Sequence, residues 1–311
     1  MPLNSHRLHR DVAPALPLSS GRHFFVIGAM KAGTSSLYKH LAAHPSIYAP
    51  PRKEPRFFSN PTPTQVDVAA YAELFAGRTA ESWAFEASTA YTKYPMISGV
   101  AERIHAAFPD ARLIYLIRDP IERICSAYLH NLAEGRERRS FEKAVLDSSQ
   151  AYLNVSRYHL QICQYLRVFP RECLLVLLFE EFVADVNGTL NKIAQFLDLA
   201  PGFSPVRHAG RYNETSKKRA PGPVLDVLRA LSGYRGLPWR VKDWASARLT
   251  RSLPSKNDLL DARIHGRLLE ELEEDITRLQ ELLGRDLNCW RLSRLMASPS
   301  ISQPHYSVRN S

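Results

Sequence analysis

The sequence predicts an α/β protein, a central parallel sheet flanked by helices in three layers. Three apolar runs of strand length predict it: HFFVIG at 23–28, RLIYLIR at 112–118 and LLVLLF at 174–179. Their hydrophobicity is continuous rather than alternating, which suits strands covered on both faces. Helix-period segments lie between them, so strand and helix alternate as in βαβ units.

Taken in order, residues 1–21 read as a flexible lead-in, polar and proline-bearing without period. The first strand ends at Gly28, and Leu37 and Leu41, one turn apart, mark the helix after it. SWAFEAS at 82–88 reads as a fourth strand. After the strand ending at Arg118, Asp119 can cap a helix, Pro120 suits its first position and Glu122 completes a capping box. That helix covers Ile121 to Leu132, and another covers Tyr158 to Val168. Residues 207–223 form a polar, basic loop with glycine and proline, and 262–283 form an amphipathic helix stopped by Gly284. Trp290 is a core residue in this reading. A single domain at 22–292 and a disordered tail at 293–311 complete the layout, with no internal repeat.

At 45% hydrophobic and 23% charged residues the chain can build a sizeable core. Its net charge of +10 favours polyanionic partners, among which charge alone does not choose. Cys125, Cys163, Cys173 and Cys289 have neither zinc spacing nor the density of a disulfide framework, so they read as mostly buried thiols. The longest apolar run is strand-sized, so no integral membrane span is expected. The N-terminus carries Pro14 and Pro17 in a short apolar stretch, a poor signal sequence, and cytoplasmic residence is the default.

HFFVIGAMKAGTSSLYKHL places a strand, a glycine-punctuated turn and a helix start in succession, the arrangement that presents backbone N–H groups to an anion. Gly28 and Gly33 permit the tight turn, and Thr34 and Ser35 add hydroxyl donors. The fold is therefore P-loop-like, but the loop is not a Walker A sequence, whose lysine follows the second glycine. Here Ala32 precedes Gly33, Thr34 follows it, and Lys31 sits in mid-loop, where it faces the transferred group or the oxygen it leaves. The alternative for this loop alone is a plain connecting turn.

The strand followed by GAMKAGTSSL resembles the 5′-phosphosulfate loop of sulfotransferases that use 3′-phosphoadenosine 5′-phosphosulfate (PAPS), of the bacterial and glycosaminoglycan type. LIYLIRDPIERICSAYLH at 113–130 resembles that family's 3′-phosphate motif, whose arginine and serine fall on Arg118 and Ser126. Taken singly, Arg118 reads equally as an ion-pair partner of Glu122, and Ser126 as a neutral helix residue. Their joint occurrence with the loop favours phosphate. The resemblance implies PAPS as co-substrate, 3′,5′-ADP as product and no metal, with Lys31, Ala32, Gly33, Thr34 and Ser35 against the phosphosulfate.

On the acceptor side, APPRKEPRFFS at 49–59 resembles the family's acidic loop, which makes Glu54 the catalytic base. Arg56 stands where relatives often have histidine. FEASTAYTKYP at 85–95 resembles the substrate-side segment and implies Glu86, Ser88 and Tyr91 as acceptor-pocket residues, with Ala87 where glycosaminoglycan enzymes tend to carry lysine. The loop 207–223 lies where the family closes over the nucleotide and offers Arg211, Lys217, Lys218 and Arg219. The resemblance implies an acceptor hydroxyl, or less favoured amine, on a saccharide, glycolipid or small metabolite. It implies no nucleic acid, and it allows peripheral membrane contact. A P-loop kinase or NTPase, or a nucleotide- or polyanion-binding protein without chemistry, are the competing readings.

Overall fold

The structure is a computed structural model. It describes residues 21–147, 149–200, 203, 219–221 and 250–290.

Five parallel strands form the sheet: β1 (Arg22–Gly28), β2 (Ile47–Tyr48), β3 (Trp83–Ala87), β4 (Arg112–Ile117) and β5 (Leu174–Leu178), in the order β2-β3-β1-β4-β5. The four apolar runs read from the sequence are β1, β3, β4 and β5. β1 is buried from His23 onward, and Leu113 to Ile117 of β4 are sealed from solvent. This double-sided burial is what made their hydrophobicity continuous. Along β1 the side chains alternate between two helical layers. Phe24 stacks on Phe85 of β3 at 5.0 Å, while Phe25 meets Phe58 and Phe108 edge-on. Each such ring removed from water stabilises by roughly 1.5–3 kcal/mol.

The helices are α1 (Thr34–Ala42), α2 (Gln65–Glu73), α3 (Val100–Ala107), α4 (Pro120–Ala133), α5 (Phe141–Val145), α6 (Ala151–Ser156), α7 (Tyr158–Leu166), α8 (Phe179–Ala184), α9 (Val186–Phe196) and α10 (Ala262–Leu283). Short 3₁₀ turns cover Phe57–Ser59, Thr89–Thr92 and Arg171–Cys173. α10 has the boundaries its leucine spacing predicts. It buries Ile264, Leu268, Leu272, Ile276 and Leu279, and it stops at Gly284, whose φ of 62° is left-handed. Its Asp275 reaches across to accept from the backbone N–H groups of His159 and Leu160, satisfying the start of α7. Trp290 is buried and donates to Glu180 at 3.2 Å.

Two sequence expectations are corrected. The capping box at α4 is half realised: Asp119 accepts from the N–H groups of Ile121 and Glu122. Its own N–H goes to Glu180, because the Glu122 carboxylate is drawn to Arg118 and Lys256. Part of the basic loop 207–223 is also strand, since β6 (Arg219–Pro221) pairs antiparallel with β7 (Thr250–Ser252). Among the described residues no helix is long and apolar enough to cross a membrane, and no group of His, Cys, Asp or Glu could hold a metal ion.

Candidate functional site

All five strands are parallel, so their carboxyl ends open on one edge of the sheet, and β1 lies at the point where the chain switches sides. Open α/β sheets bind ligands in that crevice. From β1 comes the loop 29–33, from β2 the segment 49–56, from β3 the turn 88–93, from β4 Arg118 and from β5 Phe179.

Sterics dictate the glycines of the first loop. A Cβ on Gly28 would lie 2.2 Å from the Thr92 hydroxyl and 2.9 Å from the Tyr115 ring. One on Gly33 would lie 2.7 Å from the Phe179 ring, at a φ of +92° that side chains rarely adopt. Lys31 also holds a left-handed backbone, with φ 72°. Such conformations in non-glycine residues cluster where a loop is shaped for a ligand. Ala32 and Thr34 are buried, and α1 begins at Thr34 with its first-turn N–H groups pointing out of the helix end.

The segment after β2 is fastened next to this loop. The Tyr38 hydroxyl of α1 donates to the Pro50 carbonyl. Glu54 and Arg56 both have φ near 60°, which folds the chain sharply about Pro55. The turn after β3 then clamps the segment at alternate residues. The Glu54 N–H donates to the Ala87 carbonyl at 3.0 Å, the Arg56 N–H to the Ser88 hydroxyl at 3.0 Å and the Phe58 N–H to the Tyr91 hydroxyl at 3.2 Å.

The Glu54 carboxylate is consequently fixed. It accepts from the Thr89 N–H at 3.0 Å and the Thr89 hydroxyl at 3.1 Å, lies 3.7 Å from Arg56 Nε, and takes a bond from Lys53 Nζ at 3.3 Å. The same Lys53 Nζ donates to the Ser35 hydroxyl at 3.2 Å. One ammonium thereby joins the anion loop to the carboxylate.

Of the acceptor residues read from the sequence, Glu86, Ser88 and Tyr91 are all buried, with at most 3% exposure. They stand behind the Glu54 segment instead of lining an open pocket. Glu86 accepts from the Tyr71 hydroxyl at 2.8 Å, while its other carboxylate oxygen is buried without a partner. Burial pushes its pKa up to about 7, against the hydroxyls of Tyr91, Ser88 and Tyr71, and the Glu54 charge adds to the rise. A groove of about 340 Å³ does open beside the segment, lined by Arg52, Arg56, Phe57 and Tyr71 among others.

At the β4 end, Arg118 bonds Glu122 at 2.9 Å and lies 4.9 Å over the Phe179 ring. Lys256, from the segment before α10, converges on the same Glu122 oxygen. Ser126, two turns along α4, is buried at 6% exposure. Arg211, Lys217 and Lys218 lie outside the described residues, and of Arg219 only the backbone position in β6 is described. Sequence reading missed Lys53, Thr89 and Lys256 as members of the site. Adjacency to Glu54 and Ser88 could have flagged the first two, whereas Lys256 meets Glu122 across 134 residues with no local signal.

A family profile described as Sulfotransferase family matches residues 23–204. Human heparan sulfate glucosamine 3-O-sulfotransferase 6 is 30% identical over 208 residues, 63% of this chain and 59% of that protein. Mouse carbohydrate sulfotransferase 15 is 25% identical over 247 residues, 58% of this chain and 44% of that protein. The chain thus spans about half the length of these curated relatives. A solved sulfotransferase from Alicyclobacillus acidocaldarius matches at 28% identity with a TM-score of 0.63, covering 88% of this chain and 100% of that one. With more than half of its length matched by the family profile and the same fold in that bacterial structure, the chain belongs to the sulfotransferase family.

Proposed function

We propose that the protein moves the sulfuryl group of PAPS to a hydroxyl of a saccharide acceptor. The observation that carries this reading is Lys53, bonded at once to Ser35 of the anion loop and to Glu54. A carboxylate held that close to an oxyanion cradle is placed to take a proton from a nucleophile attacking the bound anion.

In this reading the loop Lys31 to Ser35 and the start of α1 hold the 5′-phosphosulfate. Arg118, Lys256 and Ser126 hold the 3′-phosphate, displacing the Glu122 carboxylate that now occupies the two cations. Glu54 accepts the acceptor hydroxyl proton as its oxygen bonds to sulfur. The bond from sulfur to the phosphate oxygen breaks, and Lys31 balances the charge arriving on that oxygen. The product nucleotide is 3′,5′-ADP. Glu86, Ser88 and Tyr91 act as the support that sets the Glu54 position. Saccharide is preferred as the acceptor class because both curated relatives cited above are named for carbohydrate substrates. All four cysteines are free thiols, which suits a reducing compartment such as the cytoplasm.

The test is thermal stability with 3′,5′-ADP in EDTA, together with transfer of labelled sulfate from PAPS. A raised Tm, and loss of transfer in Lys31→Ala with the fold retained, are the expected results. No shift with 3′,5′-ADP overturns the reading.

A further inference from the structure

Lys93 follows the 3₁₀ turn that clamps the Glu54 segment, and its root is held rigidly. The Tyr165 hydroxyl donates to the Tyr91 carbonyl at 2.9 Å, and the Thr92 hydroxyl donates to the Ile27 carbonyl at 3.1 Å. The Gln161 side chain accepts from the Tyr94 N–H at 2.9 Å and donates to the Tyr94 carbonyl at 2.8 Å. Side chains of α7 and β1 contacts thus pin the backbone on both sides of one residue.

From that fixed root Lys93 extends half-buried, and among the described residues its ammonium makes no hydrogen bond or ion pair. A partly desolvated cation without a partner is costly, so proteins rarely keep one where nothing binds to it. The surrounding charges deepen the deficit. Burial first, then Arg56, hold its pKa below the usual lysine range; Glu54 opposes this, and Arg123 and Arg136 add to the depression. Arg123 is itself buried, and among the described residues its bonded partners are the neutral Ser156 hydroxyl and Tyr152 carbonyl. Arg136 contacts His130. Glu54, the carboxylate that opposes these cations, is already engaged by Lys53 and Thr89.

The anion loop follows β1, and Arg118 and Lys256 stand at the β4 end, whereas Lys93 follows directly on the Thr89–Thr92 turn whose Thr89 holds Glu54. We propose that Lys93 binds an oxyanion carried by the acceptor, a carboxylate or a sulfate ester, next to the hydroxyl that Glu54 deprotonates. The proposal rests on the sulfuryl-transfer reading above and makes Lys93 the residue that selects anionic acceptors.

Three tetrasaccharide probes test it by calorimetry on the enzyme saturated with 3′,5′-ADP: a uronic acid–hexosamine form, the same with its carboxyls reduced to alcohols, and the reduced form bearing 6-O-sulfates. The enzyme is expected to bind at least one anionic probe about tenfold tighter than the neutral one. Whichever anion gains identifies the group. Lys93→Met is expected to abolish the preference and Lys93→Arg to retain it. Because Met replaces an unpaired half-buried charge with an apolar chain of similar volume, the Tm of Lys93→Met should stay level or rise. Equal binding of all three probes, binding of none, or a preference that survives Lys93→Met overturns the proposal. The thermal shift with 3′,5′-ADP is read on the same samples, so failure of the donor reading is seen separately.

Discussion

Replacing Glu86 by Gln should change how stability depends on pH, by an amount the structure sets. Glu86 is 1% exposed, one of its oxygens has no partner, and its pKa rises from 4.5 to about 7, chiefly through burial. At about 1.4 kcal/mol per pKa unit, that difference is worth about 3 kcal/mol. The sign follows from proton counting. Between pH 4.5 and 7 the folded protein keeps a proton that the unfolded chain has released, so rising pH favours unfolding. The protonated carboxyl is fully tolerated below pH 4.5, stability falls through the window, and the loss is complete above pH 7. Gln has nearly the same shape and no charge, so it removes only this contribution. Urea unfolding of both proteins at half-unit steps from pH 4.5 to 8 measures the difference, and other titrating groups cancel. Relative to the parent, Glu86→Gln should gain about 3 kcal/mol across the window. A difference that stays flat with pH refutes the claim that Glu86 ionises in the buried interior behind the Glu54 segment.

Gly33→Ala should lower the Tm and abolish the thermal shift with 3′,5′-ADP, because the new methyl would lie 2.7 Å from the Phe179 ring in a left-handed backbone. The conformational part alone costs roughly 1–2 kcal/mol, and a stable variant that still responds to 3′,5′-ADP contradicts the steric account. Lys256→Ala should weaken 3′,5′-ADP by about tenfold while leaving 5′-AMP unchanged, since a charge-assisted bond of about 1.5–3 kcal/mol is lost at one phosphate only. Calorimetry with the two nucleotides checks this, and an equal loss for both would remove Lys256 from the 3′-phosphate site.

The sheet was legible because β1 and β4 are sealed on both faces and β5 is largely buried, so each carries an unbroken apolar run, while β3 is buried throughout with Glu86 in its midst. β2 escaped, being two residues long. The anion loop was legible from glycine spacing, and the structure supplies the reason: neither Gly28 nor Gly33 has room for a side chain. Arg118 illustrates a different limit. Both readings of it, as a partner of Glu122 and as a phosphate ligand, are compatible with one geometry, because a guanidinium able to grip phosphate pairs equally with a neighbouring carboxylate. Glu86, Ser88 and Tyr91 read as pocket residues because FEASTAYTKYP resembles the substrate-side segment of the family. Their burial arises from Tyr71 of α2 and the folded-back segment 54–58 covering them, a nonlocal packing that no spacing records.

That covering also resolves an electrostatic conflict in the proposed reaction. A carboxylate acting as base is anionic and must reach the attacking hydroxyl, while the donor it approaches is anionic too. Two unit charges about 4 Å apart at an effective dielectric of 20 repel by about 4 kcal/mol, enough to push a carboxylate away. Lys53 sits between the two, bonding Ser35 on the donor side and Glu54 on the acceptor side. The Thr89 N–H and hydroxyl hold the carboxylate from behind. Lys53 directly precedes Glu54, whose backbone is left-handed, and their charged ends meet at 3.3 Å. In the proposed reaction the left-handed turn, the screening ammonium and the Thr89 donors thus act together to hold a carboxylate beside a phosphosulfate.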